Sequence, residues 1–163
     1  NDLLLIDASI TSISIPHRSC NDNNCTIFDI SRFTLLESIE IGDYSFGPVS
    51  TFEIDGLNQL QTLKIGQRSF TQKVNGWGDD KSKSFHILNC ESLKSIQIGE
   101  YSFNDYAGEF ELKNLSQLQS IQIGKIGSIS CNFYNSSFVI RGIDMILNIV
   151  MNRSSKSTIH YIR

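Results

Sequence analysis

Three histidines, four cysteines and a few carboxylate pairs are the residues of this 163-residue chain with the chemistry to do more than pack. His17, His86 and His160 fall in separate stretches, and none has a Cys, Asp or Glu at metal-ligand spacing. A histidine acting as a base needs a nucleophile in reach, and neither a nucleophile elbow nor a Cys–His arrangement is visible. Glycan hydrolysis would require paired carboxylates. The candidates are Glu53 with Glu111 and Asp79 with Asp80, and neither pair lies in an evident cleft. No glycine cluster is followed by the Lys-Ser/Thr of a phosphate loop. The residues therefore predict a non-enzymatic protein with no catalytic residue, no metal and no cofactor.

Two cysteines, Cys20 and Cys25, stand close together in the polar segment CNDNNC and could close a small disulfide. Cys90 occupies a position held by leucine elsewhere and reads as a buried free thiol. Sequons at Asn24, Asn114, Asn135 and Asn152 permit N-glycosylation, though among 13 asparagines they barely exceed chance. A net charge of −3 supplies no pull toward nucleic acid. No apolar run approaches the length of a membrane helix. The chain lacks an initiating Met, which suggests a processed or excised piece of a longer one.

The elements that must position any site are repeats. Laying Phe110 on Phe85 brings Leu112 onto Ile87, Asn114 onto Asn89, Leu118 onto Leu93, Ile121 onto Ile96 and Gly124 onto Gly99. The same frame begins at Phe28, Phe52 and Phe138, with spacings of 24, 33, 25 and 28 residues. Each unit carries a short Phe-x-Ile/Leu signal and a longer one ending Ile-x-Ile, and apolar–polar alternation marks strands with one face inward. Between them stands Gly56, Asn89, Asn114 or Gly142, residues that share tolerance of positive φ. A second column, Gly42, Gly66, Gly99 and Gly124, is read as another left-handed turn closing the long strand. Units of this length cannot bury a core alone, so they must stack with like strands paired in parallel. The expected fold is mainly β: a leucine-rich-repeat-like parallel β solenoid of about six irregular coils of roughly 25 residues, with two strands per coil. The coils run approximately 1–27, 28–51, 52–84, 85–109, 110–137 and 138–163 as one domain.

That arrangement places Glu40, Lys64, Gln97 and Gln122 in one outward row and Thr62, Ser95 and Ser120 beside them, after Ser38. The face is either a solvated ladder or a flat polar surface for a protein or glycan. An insertion, TQKVNGWGDDKSK, carries the only Trp, Trp77, with Asp79 and Asp80 behind it. Loops on rigid scaffolds often carry function and Trp is frequent at binding hot spots, but an apolar ring can equally cap an open coil. Phe133 and Tyr134, beside the Asn135 sequon, are expected to pack beneath their loop.

The string L-x-S-I-x-I-G-x-x-S-F, at Leu36 to Phe46 and Leu93 to Phe103, resembles bacterial-surface-antigen-like leucine-rich repeats. The units here are longer, the Phe-x-Ile strand is more prominent, and Ser69 and its equivalents replace the common Ala. What the resemblance implies is an extracellular or cell-surface recognition and adhesion module acting through its exposed strand face. An alternative expectation is a structural protein whose coils self-associate through open ends or edges.

Overall fold

In the computed structural model, which describes residues 7–72, 78–125, 130–143, 148–151 and 158–162, the chain is a parallel β solenoid with no helix among those residues. One sheet holds β1 (Ser12–Ile15), β3 (Ser38–Ile41), β5 (Thr62–Ile65), β7 (Ser95–Ile98), β9 (Ser120–Ile123) and β11 (Asn148–Met151), in that spatial order. The other holds β2 (Ile27–Phe28), β4 (Thr51–Asp55), β6 (Ser84–Leu88), β8 (Glu109–Lys113), β10 (Ser137–Arg141) and β12 (Thr158–Ile162), again in chain order. Every pairing is parallel, because the chain enters each rung from the same side. The repeat frame is also the pairing register: Ile39 pairs with Leu63, Leu63 with Ile96 and Ile96 with Ile121, while Phe52 pairs with Phe85 and Phe85 with Phe110. β-branched residues at alternate positions favour the pleated surface, and inward side chains of β3 to β10 are almost fully buried.

Aromatic rings fill the centre. Phe28, Phe52, Phe85 and Phe110 stack at 4.7–5.0 Å between centroids, and Phe138 continues the row tilted. From the corner after each first-sheet strand comes a second row, Phe46, Phe70, Phe103 and Phe133, at 4.8–5.1 Å. The two rows meet edge to face, as Phe52 does with Phe70 at 5.1 Å and Phe85 with Phe103 at 5.0 Å, the geometry that ring quadrupoles favour. Cys90 lies fully buried among leucines as a free thiol, and burial pushes its pKa up to about 11.

The two kinds of corner use different devices. Gly56, Asn89, Asn114 and Gly142 all have φ between 53° and 70°, as the alternation of Gly and Asn predicts. The asparagines also form a ladder: Asn89 Nδ2 donates to Asp55 Oδ1 at 2.8 Å, and Asn114 Nδ2 to Asn89 Oδ1 at 2.7 Å. The second glycine column departs from expectation. Only Gly124 has positive φ, at 77°. Gly42, Gly66 and Gly99 are glycines because successive corners touch; a Cβ on Gly99 would stand 2.5 Å from the backbone at Gly66 and Gln67.

The left-handed residues of that corner lie further on, in pairs with one residue between: Tyr44 and Phe46, Arg68 and Phe70, Tyr101 and Phe103. Such backbone costs about 1–2 kcal/mol per residue. The residue between is a buried Ser that ties the coils together. Ser69 Oγ donates to the Gly42 carbonyl at 2.8 Å and accepts the Ser45 amide at 3.2 Å, and Ser102 Oγ donates to the Gly66 carbonyl at 2.6 Å. Alanine could do neither. In the next coil Asn132 takes over, donating to the carbonyls of Gly99 at 2.7 Å and Ser102 at 2.9 Å. Since the atoms around Gly99 are backbone and cannot rotate away, Gly99→Ala is expected to cost about 3 kcal/mol, the upper part of the overpacking range. Asn89→Gly, which keeps the left-handed turn and loses only ladder bonds, should cost about 1 kcal/mol. Urea unfolding of both variants checks the order.

Candidate functional site

The outward face of the first sheet brings the expected residues into register. Ser38, Thr62, Ser95 and Ser120 form one row, and Glu40, Lys64, Gln97 and Gln122 form another, about 4.8 Å apart from rung to rung. Lys64 Nζ reaches Glu40 Oε1 at 2.5 Å, but both side chains are more than half exposed, so the pair contributes well under 1 kcal/mol. One row further out, Lys94 Nζ donates to Gln61 Oε1 at 2.9 Å. On the fourth and fifth coils these two rows of the face hold amides and hydroxyls, Gln97 with Ser95 and Gln122 with Ser120. A groove of about 250 Å³ runs past its edge, between Lys64, Gln97 and Gln122 on one side and Gln67, Glu100 and Lys125 on the other. Its floor is the glycine corner at Gly66, Gly99 and Gly124. Its two rims carry donors and acceptors, in Lys64, Gln97 and Gln122 and in Gln67, Glu100 and Lys125.

Beside it runs a ridge that sequence reasoning missed. Arg18, Tyr44, Arg68 and Tyr101 occupy equivalent left-handed positions, one per coil. The Arg18 guanidinium lies 5.7 Å from the Tyr44 ring centroid and that of Arg68 lies 5.0 Å from the Tyr101 centroid, both within cation–π range. The alternation Arg, Tyr, Arg, Tyr at one place in G-x-x-S-F was the available signal.

The inserted loop has a fixed base. Gly78 N donates to the Asn104 carbonyl at 3.2 Å, Ala107 N to the Asp80 carbonyl at 3.0 Å, and Asn135 Nδ2 to the Gly78 carbonyl at 2.9 Å. Trp77 lies outside the described residues. Asp79 and Asp80 are both exposed. Asp80 is engaged locally: its Oδ1 accepts the Ser82 hydroxyl at 2.6 Å and amide at 3.0 Å, which hold its carboxyl below the usual carboxylate range. Among the described residues no group of three His, Cys, Asp or Glu is arranged to hold a metal ion.

Of the sequons, Asn24 is exposed, while the Asn114 and Asn135 amides are engaged in the hydrogen bonds given above; Asn152 lies outside the described residues. Phe133 and Tyr134 are buried beneath their loop, as expected. His86 has acids on either side but little solvent: its side chain is 19% exposed, with Nδ1 3.6 Å from Glu53 and Nε2 3.9 Å from Glu109. The rungs on both sides cover it.

Cys20 and Cys25 are free thiols brought side by side. Burial, and then the neighbouring Cys25 thiol, push the Cys20 pKa up to about 11. Oxidation by diamide should remove both thiols from the intact monomer and raise its stability by about 2 kcal/mol, the chain-entropy value for so short a loop. Thiol titration and urea unfolding before and after treatment check both halves.

The chain matches no family model, and no curated protein or solved structure matches it either. No helix among the described residues is long and apolar enough to cross a membrane.

Proposed function

We propose that this chain is a non-enzymatic recognition module, similar to the surface-antigen-like leucine-rich repeats and working at a cell surface or outside the cell. Its ligand, a protein or glycan, lies along the outward face of the first sheet and the groove at its edge. One observation carries this reading: hydroxyls repeat in register from Thr62 through Ser95 to Ser120 and amides from Gln97 to Gln122, so a ligand of extended form meets a hydroxyl at each of those rungs and an amide at the last two. The Trp77 loop, held at its base by Gly78, adds a second contact. The test is binding of the full chain to panels of glycans and matrix proteins. A variant with Lys64, Gln97 and Gln122 changed to Ala should lose at least tenfold in affinity, equivalent to about 1.4 kcal/mol. A folded variant that binds unchanged overturns the site.

A second reading, self-association of coils end to end, is favoured by charge. Residues 1–57 carry nine carboxylates against two Arg or Lys, whereas residues 113–163 carry six Arg or Lys against one carboxylate. Among the described residues the excess runs the same way, eight carboxylates against two Arg in 7–57 and three Lys or Arg against no carboxylate in 113–162, so acidic early rungs attract basic late ones head to tail. Light scattering at low and high salt separates the readings: assembly that dissolves with salt supports this one, and a monomer at high concentration rejects it.

A further inference from the structure

The second sheet is incomplete at its first edge. β10, β6 and β4 are five-residue strands, and β4 pairs with β6 along its whole length, from Thr51 to Asp55. On its other side β4 meets β2 at Thr51 and Phe52 only. Beyond Phe28 the chain turns early, because Asp29 Oδ1 accepts both the Ser31 amide at 3.0 Å and the Ser31 hydroxyl at 2.8 Å. The frame FDISRF keeps Ile30 in the core, yet the strand pairing has already ended. Among the described residues, Glu53, Ile54 and Asp55 have no strand beside them on that edge.

A groove of about 380 Å³ occupies the gap, between Thr26–Ser31 on one wall and Ser50 to Leu57 on the other. Its lining has two characters. Ile27 is 74% exposed, the most exposed large apolar side chain among the described residues. Asp29, Glu53 and Asp55 set three carboxylates around it. No Lys or Arg lines the groove, and residues 1–57 as a whole are strongly acidic.

We propose that this groove binds an extended peptide segment of a partner protein, with basic side chains alternating with apolar ones, added as a strand along Glu53–Asp55 of β4. Unpaired strand edges take extended peptides through main-chain hydrogen bonds, and pockets for alternate side chains set the specificity. Here the period of two turns every second side chain inward, toward Ile30, Ile54 and Leu57 of the lining, and the ones between outward, where Ile27 and the three carboxylates share one face. Charge decides the partner: Lys or Arg is attracted and Glu or Asp repelled, at separations within the Debye length of physiological salt. The site lies on the opposite sheet from the proposed ligand face, so the two can be occupied independently.

The probes are two synthetic hexapeptides, one alternating Lys and Val and one alternating Glu and Val, each blocked at both ends. In the full chain, amide hydrogen exchange should slow at least tenfold at Asp55, whose N–H faces the open edge, when the Lys–Val peptide is added, and calorimetric binding should weaken as salt rises. The Glu–Val peptide should bind at least tenfold more weakly. The variant Asp29→Asn, Glu53→Gln, Asp55→Asn keeps the local hydrogen-bond acceptors and removes the charge; folded by circular dichroism, it should bind both peptides equally weakly. An Asp55 amide that is already protected in the free chain overturns the proposal, as does equal binding of the two peptides by the parent protein. Protection that grows with protein concentration and tracks a dimer by light scattering also overturns it, assigning the edge to a second copy of the chain.

Discussion

Replacing Phe85 with Ala should lower the unfolding free energy by about 5 kcal/mol, the top of the range for a buried ring. Its place in the core explains why. Phe85 is stacked on Phe52 and on Phe110, both at 4.7 Å, and takes the edges of Phe103 at 5.0 Å and Phe133 at 5.2 Å. All of these rings are buried and held by backbone registers, so little can collapse into the space that is left. Phe85→Leu keeps most of the volume and loses chiefly the ring geometry; it should cost about 1.5 kcal/mol. Phe28→Ala is the control. Phe28 heads the row with a stacking neighbour on one side, Phe52, and belongs to the two-residue strand β2. Its loss should cost about 3 kcal/mol, the bottom of the same range. Urea unfolding by fluorescence and circular dichroism measures all three. Equal costs at positions 28 and 85 would mean that the rows do not act as continuous stacks.

The same rows show how far the sequence could be read. Phe-x-Ile and Ile-x-Ile repeat with one period, and only stacking gives such columns a common physical cause; strands, parallel pairing and inward rows followed from that. Glycine is a weaker witness. It marks either positive φ or close backbone approach, and the letters at Gly66 and Gly99 do not say which. At Gly56 the neighbouring coils substitute Asn, which tolerates left-handed backbone but not a crowded Cβ, and that substitution settled the matter. No such substitution occurs at Gly42, Gly66 or Gly99, and there the cause is crowding. The left-handed pairs at Tyr44 and Phe46 or at Tyr101 and Phe103 were hidden because large side chains rarely adopt that conformation; burial of the Phe and the Ser ladder hold it in place. On the candidate face, rows could be assigned from the period alone. The ring-over-guanidinium ridge, the groove and the shortened β2 depend on corner geometry, which the period does not encode.

The insertion that breaks the period leads to the second large effect. Asp105→Ala should destabilise the protein by about 3–5 kcal/mol, mainly because it leaves an uncompensated charge in the interior. Lys83 Nζ and Asp105 Oδ2 meet at 2.7 Å with side chains only 7% and 10% exposed, and the ammonium also stands 5.5 Å from the Tyr106 ring centroid. Asp105 Oδ2 takes the Gln72 amide as well, at 3.4 Å, whereas Oδ1 is buried without a hydrogen-bond partner. Tyr106 is fixed in turn by its hydroxyl, which donates to the Val49 carbonyl at 2.7 Å. The pair thus bolts both ends of the insertion, at Gln72 and Lys83, to the following corner. Removing one partner strands an ammonium in a site built around a carboxylate. Removing both should be far milder: Lys83→Met with Asp105→Leu fills similar volume with apolar atoms and is expected within about 1 kcal/mol of the parent. The coupling measured in that double-mutant cycle should therefore exceed about 2 kcal/mol. An additive cycle would show that the two groups are not paired in solution. It would also mean that the inserted loop lacks the fixed base on which its proposed role in binding depends.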